Sequence, residues 1–315
     1  MKAIIKISIL FCFLAAQLTI ISAQNMTPYV KMKRYKTYVK EIDKSLSQVH
    51  DSLYASKYEL SNLLYRVFFF SIEQDLKNPH HTELLKIATV DSNVWSPKLD
   101  VNEPMTRFYF RHPAYNDYPV VGVSHEAAKL FCTWLTDKYN SSPKRKFKKV
   151  LFRLPTEKEW ELAAGGGRQN ADYPWGGPYL RNSEGRALCN YQSIGDENII
   201  YDSLTNKFVV EFTNTPYAYY KNYFVGHKNS RYTYDTSSSG QNIFAATEPV
   251  ASYFANNIGL YNIAGNVAEM VNEKGISRGG SWKSPGGEVQ IKSRAFYSKP
   301  TNDLGFRFFM EIMEK

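Results

Sequence analysis

Few residues in this chain have the types and spacing that chemistry needs. The histidines, His50, His80, His81, His112, His125 and His227, form no H-x-x-x-H pair of the kind that chelates a metal from one helix face. His80 and His81 are adjacent, so a regular element points them apart. Ser124-His125 reads as a helix cap and a first-turn residue, because nothing in the sequence places an orienting acid for a triad. Cys132 and Cys189 have no Cys or His at chelate spacing, which excludes a zinc site. Gly165-Gly166-Gly167 lacks the Lys-Ser/Thr of a phosphate loop and reads as a helix stop. Glu288 and Arg294 are isolated charges of the surface kind. One run stands apart: Asn262-Ile-Ala-Gly265-Asn-Val267-Ala-Glu269. Taken bare, it reads as an ordinary Gly-Asn turn with Glu269 starting the next element, Gly265 allowing the bend.

The elements that would hold these residues are short. Leu53 to Leu60 alternates as a strand. Ser61 caps a helix from Asn62 to about Gln74. Residues 78–118 read as irregular surface, and Pro119 to Val123 as a short strand. Ser124 caps a helix to about Lys138, with Leu130, Phe131, Trp134 and Leu135 as its buried stripe and Cys132 inside it. Val150 to Leu154 is a strand. Thr156 caps a helix over 157–164, with Glu159 at the capping-box position. Residues from about 190 to 247 are long, polar and tyrosine-rich, which marks an insertion. Short strands return from Pro249. Few helices, many short strands and long aromatic loops indicate an irregular α+β domain and argue against a doubly wound parallel sheet.

The N-terminus indicates export. Lys2 and Lys6 precede an apolar stretch from Ile7 to Ile21, then Ser22-Ala23-Gln24, a signal peptide over residues 1–23. Its apolar run is short for a membrane span and is interrupted by Gln17. Phe11 before Cys12 is too bulky for a lipoprotein box. Residues 24–52 form a basic arm, and residues 53–312 the main domain. The 315 residues carry a formal charge of +9 and 43% hydrophobic side chains, enough for a substantial core. The densest basic run, Lys144-Arg145-Lys146-Phe147-Lys148-Lys149, reads as a solvated loop, and no nucleic-acid partner is expected.

Seven ordered segments carry a resemblance. They are Tyr58-Glu59-Leu60-Ser61-Asn62; Pro119-Val-Val-Gly-Val-Ser124; Phe152-Arg-Leu-Pro-Thr-Glu-Lys-Glu-Trp-Glu161; Tyr173-Pro-Trp-Gly176; Gly259-Leu-Tyr-Asn-Ile-Ala-Gly-Asn-Val-Ala-Glu269; Arg278-Gly-Gly-Ser-Trp282; and Leu304-Gly-Phe-Arg307. In them the chain resembles the formylglycine-generating enzymes, or sulfatase-modifying factors. The resemblance implies an irregular C-type-lectin-like fold with little regular secondary structure. Residues 173–182 and 264–269 also look like the K-type proteins of gliding motility and type IX secretion.

The family oxidises a substrate cysteine at copper(I) held by two cysteines between the Gly-Gly-Ser and Leu-Gly-Phe-Arg segments. Soft thiolates suit copper(I). Here residues 283–297 contain no Cys, Met or His, so no copper and no catalytic residue is expected. The resemblance also implies structural calcium on the Asn262 side chain, the Gly265 and Val267 carbonyls and Glu269, and a second calcium beginning at Asn190 and Tyr191. Trp160, Trp175 and Trp282 are expected in the core, with Arg278 and Arg307 tying segments together. The functional expectation is a non-catalytic, calcium-stabilised scaffold of the cell envelope. It would be periplasmic or outer-membrane associated, without a transmembrane span, and would bind envelope proteins, a secretion ring among them. The alternatives are a formylglycine-generating-type oxidase and a lectin-like glycan or peptide binder.

Overall fold

The structure is a computed structural model and describes residues 38–96, 103–192, 199–204, 207–210 and 247–315. The expected signal peptide and most of the 190–247 insertion lie outside them. Side-chain caps place three of the six described α-helices. α1 is Tyr38–Ser45, α2 Asn62–Glu73, α3 His81–Ala88, α4 Glu103–Phe108, α5 His125–Asn140 and α6 Glu157–Gly165. Ser61 accepts from Leu64 N–H, Ser124 from Ala127 N–H and Thr156 from Glu159 N–H. Each side-chain oxygen satisfies one of the orphan donors of a first turn. Gly166 ends α6 in the left-handed region at φ 55.

The strands are β1 Leu46–His50, β2 Leu53–Ser56, β3 Lys149–Arg153, β4 Ile199–Asp202, β5 Lys207–Val210, β6 Ala268–Met270, β7 Ile276–Arg278, β8 Arg294–Phe296, β9 Leu304–Gly305 and β10 Phe309–Glu314. β1, β2, β10 and β3 form an antiparallel sheet in that order, and β8, β7, β6 and β9 a second sheet whose β6–β9 pair is parallel. Successive β10 residues serve opposite faces. Met310, with Phe308 just before the strand, enters the core built on α2 and α5, beside Phe131 and Phe152. Phe309 enters the other, with Trp160, Ala163, Leu260 and Ile263. Cys132 and Cys189 are free, buried thiols, and burial pushes Cys132 up to about 12.

Three expectations are corrected. The basic arm does not stand wholly apart from the main domain: its residues 38–50 form α1 and β1, and Val39, Ile42 and Leu46 are buried in the core. Their i, i+3, i+7 spacing is helical, and the flanking lysines masked it. Residues 78–118 are not plain surface, because α3 and α4 lie there and Trp95 and Tyr109 are 3% and 1% exposed. Pro119 to Val123 forms no strand beyond an isolated antiparallel bridge of Pro119 with Ser61. It is held by Val120 N–H to Leu60 O at 2.8 Å and Gly122 N–H to Thr301 O at 3.1 Å.

The start of α6 yields a pH prediction. Arg153 donates to both Glu159 oxygens at 2.7 Å, and Thr156 N–H donates to Oε2 at 2.8 Å. Desolvation pushes the Glu159 carboxyl up, but these donors outweigh it and hold it at about 2. A depressed carboxyl contributes stability above its unfolded value, 4.5, and loses it as pH falls towards 2. Glu159→Ala therefore costs about 1–3 kcal/mol at neutral pH. Urea titrations from pH 6 down to pH 2 (~4 units,) should show the gap to the unmodified protein closing.

Candidate functional site

The Asn262–Glu269 loop turns sharply, with Asn262, Gly265 and Asn266 at φ 49, 74 and 63. Asparagine tolerates that region better than most residues, and glycine adopts it freely. The loop is moored on both flanks. Gly265 N–H donates to Gly279 O at 2.8 Å, and Asn266 N–H to Asn190 O at 2.8 Å. The Asn190 side chain also donates to Asn266 Oδ1 at 3.2 Å.

Two buried carboxylates meet beside it. Arg307, fully buried, donates Nε to both Glu269 oxygens at 2.8 Å and Nη2 to Oε1 at 2.6 Å. Trp160 Nε1 donates to Glu269 Oε2 at 2.7 Å. The remaining Arg307 donors reach Ser56 O at 2.9 Å and Tyr261 O at 2.8 Å. Glu59 accepts from Asn262 Nδ2 at 3.1 Å, Asn266 Nδ2 at 2.7 Å and Val267 N–H at 3.1 Å. Burial, and then the Glu269 charge, push the Glu59 carboxyl up to about 8 against the pull of Arg307. Two carboxyls thus face one guanidinium.

Sequence reasoning brought Asn262, Gly265, Val267 and Glu269 together and missed Glu59. The signal was the place of Glu59 inside the Tyr58-Glu59-Leu60-Ser61-Asn62 segment. Asn190 joins the loop through its hydrogen bonds to Asn266. Tyr191 packs beside Tyr173, Cys189, Ala264 and Val289. Trp160 is fully buried, whereas Trp175 and Trp282 are only partly so. Arg278 pairs with Glu157 at 3.2 Å and with Glu161, and Arg294 also holds Glu157.

The residues fit calcium in one respect. Asn262 Oδ1 is buried and has no hydrogen-bond partner. Glu269 already accepts four hydrogen bonds from Arg307 and Trp160, which fills the roughly four acceptor sites of a carboxylate. Among the described residues, no three His, Cys, Asp or Glu side chains gather as a metal site, so backbone carbonyls would have to complete such a shell. In the segment after Ser281, Gly286 and Val289 are buried and packed, while Lys283, Gly287, Glu288 and residues 294–296 are exposed. Val289 is 1% exposed, Tyr173 Oη donates to Gly286 O at 3.1 Å, and Leu180 occupies the space where a Gly286 side chain would stand.

An α+β architecture with this moored loop and these ordered segments defines a class, and comparison with known proteins agrees. The sulfatase-modifying factor enzyme 1-like domain model matches residues 29–312, and the chain belongs to that family. The formylglycine-generating enzyme of Thermomonospora curvata is 29% identical over 153 residues, covering 49% of this chain and 32% of the enzyme. The inactive C-alpha-formylglycine-generating enzyme 2 of Bos taurus is 34% identical over 87 residues, covering 25% of this chain and 24% of that protein. The matches thus span a third or less of these relatives. Among solved structures, CarF is similar at TM-score 0.45 and 18% identity, covering 82% of this chain and 86% of that one. Treponema denticola variable protein 1 is similar at TM-score 0.42 and 18% identity, covering 85% and 91%. No described helix is long and apolar enough to cross a membrane.

Proposed function

We propose that this chain is a non-catalytic member of its family, a binding or scaffold domain of the cell envelope. One observation carries the reading. The family's copper-binding cysteines belong between the Gly-Gly-Ser and Leu-Gly-Phe-Arg segments, and residues 283–297 offer no Cys, Met or His in their place. Oxygen and backbone ligands suit copper(I) poorly. Calcium is the proposed structural ion, held by Asn262 Oδ1, the Gly265 and Val267 carbonyls and Glu269. It would supply positive charge beside two buried carboxyls. Export by residues 1–23 and partners in the envelope, a secretion ring among them, complete the proposal.

The test has two arms. Incubation with copper, oxygen and a cysteine peptide should yield no aldehyde, with the Thermomonospora curvata enzyme as the positive control. Aldehyde formation would restore the oxidase reading. Thermal unfolding should shift upwards in calcium relative to chelator, and coincident melting curves would remove calcium from the proposal.

A further inference from the structure

The basic run Lys144 to Lys149 has no place in that proposal, yet it is built with care. It joins α5 to β3, and Lys144, Lys146, Lys148 and Lys149 are all exposed. Arg145 does not contribute its guanidinium to the surface. Its Nε donates to Lys148 O at 2.9 Å and its Nη1 to Ser142 O at 2.8 Å, stapling the loop. Tyr139 Oη accepts from Lys146 N–H at 3.2 Å and Phe147 N–H at 3.4 Å, and donates to Asp43 on α1 at 2.7 Å. A lysine loop held this way loses little further freedom when it docks.

The acids facing it are few. Glu314 pairs with Lys148, both well exposed. Asp43 lies near enough for the Lys146 charge to act on it. Glu311 is engaged by Arg153. Among the described residues, Lys144, Lys146 and Lys149 carry no ion pair. Beside them the sheet exposes apolar side chains, with Leu151 of β3 39% exposed and Met313 of β10 55% exposed. Glu311 is the register partner of Leu151, and Met313 stands two residues further along β10.

We infer that Lys144, Lys146 and Lys149, with Leu151 and Met313, form a docking surface for an anionic lipid bilayer. Ammonium groups are point charges on apolar stems, suited to crowded headgroups, whereas recognition of a nucleic acid favours free guanidinium forks. The one guanidinium of the run is tied to carbonyls. Its one aromatic ring, Phe147, packs beside Tyr54 at 5.7 Å and leaves no platform for stacking a base. Exposed Leu and Met next to lysines match the apolar and polar layers of a membrane interface.

The experiment is vesicle co-sedimentation of the full chain. Phosphatidylcholine vesicles doped with phosphatidylglycerol should retain it and plain phosphatidylcholine vesicles should not, with retention falling as salt is raised. Each lysine near an anionic surface is worth roughly a five-fold change in partition. The triple variant K144Q/K146Q/K149Q should therefore partition about 100-fold less while melting like the unmodified chain. L151S/M313S should weaken partition several-fold without changing its salt dependence. Equal retention by both vesicle types overturns the inference. So does an unaffected triple variant, or tighter capture by single-stranded DNA or polyglutamate than by the anionic vesicles.

Discussion

Arg307→Met should cost about 3–5 kcal/mol of unfolding free energy, because the change strands Glu269 without its cation inside the protein. Both side chains are essentially inaccessible, at 0% and 1% exposure. Glu59, which already feels the Glu269 charge, loses the guanidinium that pulls its carboxyl down. The Ser56 and Tyr261 carbonyls lose donors as well. Arg307→Lys should fall between the two, since a single ammonium cannot reproduce the five contacts that Arg307 makes with Glu269 and the two carbonyls. Arg307→Met/Glu269→Met should recover part of the loss, as an apolar pair often replaces a buried ion pair at little cost. Urea unfolding in the presence of chelator measures all of these. A midpoint for Arg307→Met within about 1 kcal/mol of the parent, at equal slope, would show that the pair does not hold the loop.

Gly265→Ala should be the next most damaging change, at about 2–3 kcal/mol or more. Its φ of 74 already disfavours a side chain. An added Cβ would also collide with the carbonyl oxygen of Asn190, a backbone atom that cannot swing away. That carbonyl accepts from Asn266 N–H, so relieving the clash breaks the mooring. Gly167 is the control. Its φ is 84, but nothing lies within 4 Å of the added carbon, so Gly167→Ala should cost only the backbone term, about 1 kcal/mol. Equal losses at the two positions would mean that contact with Asn190 contributes nothing.

Local signals made α2, α5 and α6 legible. Ser61, Ser124 and Thr156 each announce a first turn, and Gly166 announces a last one. The Asn262–Glu269 loop was legible from its resemblance to a known segment, together with the glycine its bend requires. What the sequence hid was partnership at a distance. Glu59 meets Asn262 203 residues away, and Trp160 meets Glu269 109 residues away. No periodicity or cap encodes such pairings. α1 and β1 were hidden differently, because lysines interleaved with Val39, Ile42 and Leu46 gave the stretch a solvated look. The aromatic shell around Trp95 and Tyr109 was read as surface because its helices are short and polar residues surround them. In each case, burial was decided by segments far away in the chain.

The strand order β1-β2-β10-β3 places in the middle of the sheet the strand that follows every other described element. During synthesis, β2 and β3 emerge long before the strand that separates them. Until residues 309–314 arrive, each has an edge of unpaired amides and carbonyls, the kind of edge that recruits wrong neighbours. The sheet cannot assemble in the order in which it is made. The domain therefore closes in one late step, with long loops to gather and a slow approach to the native state.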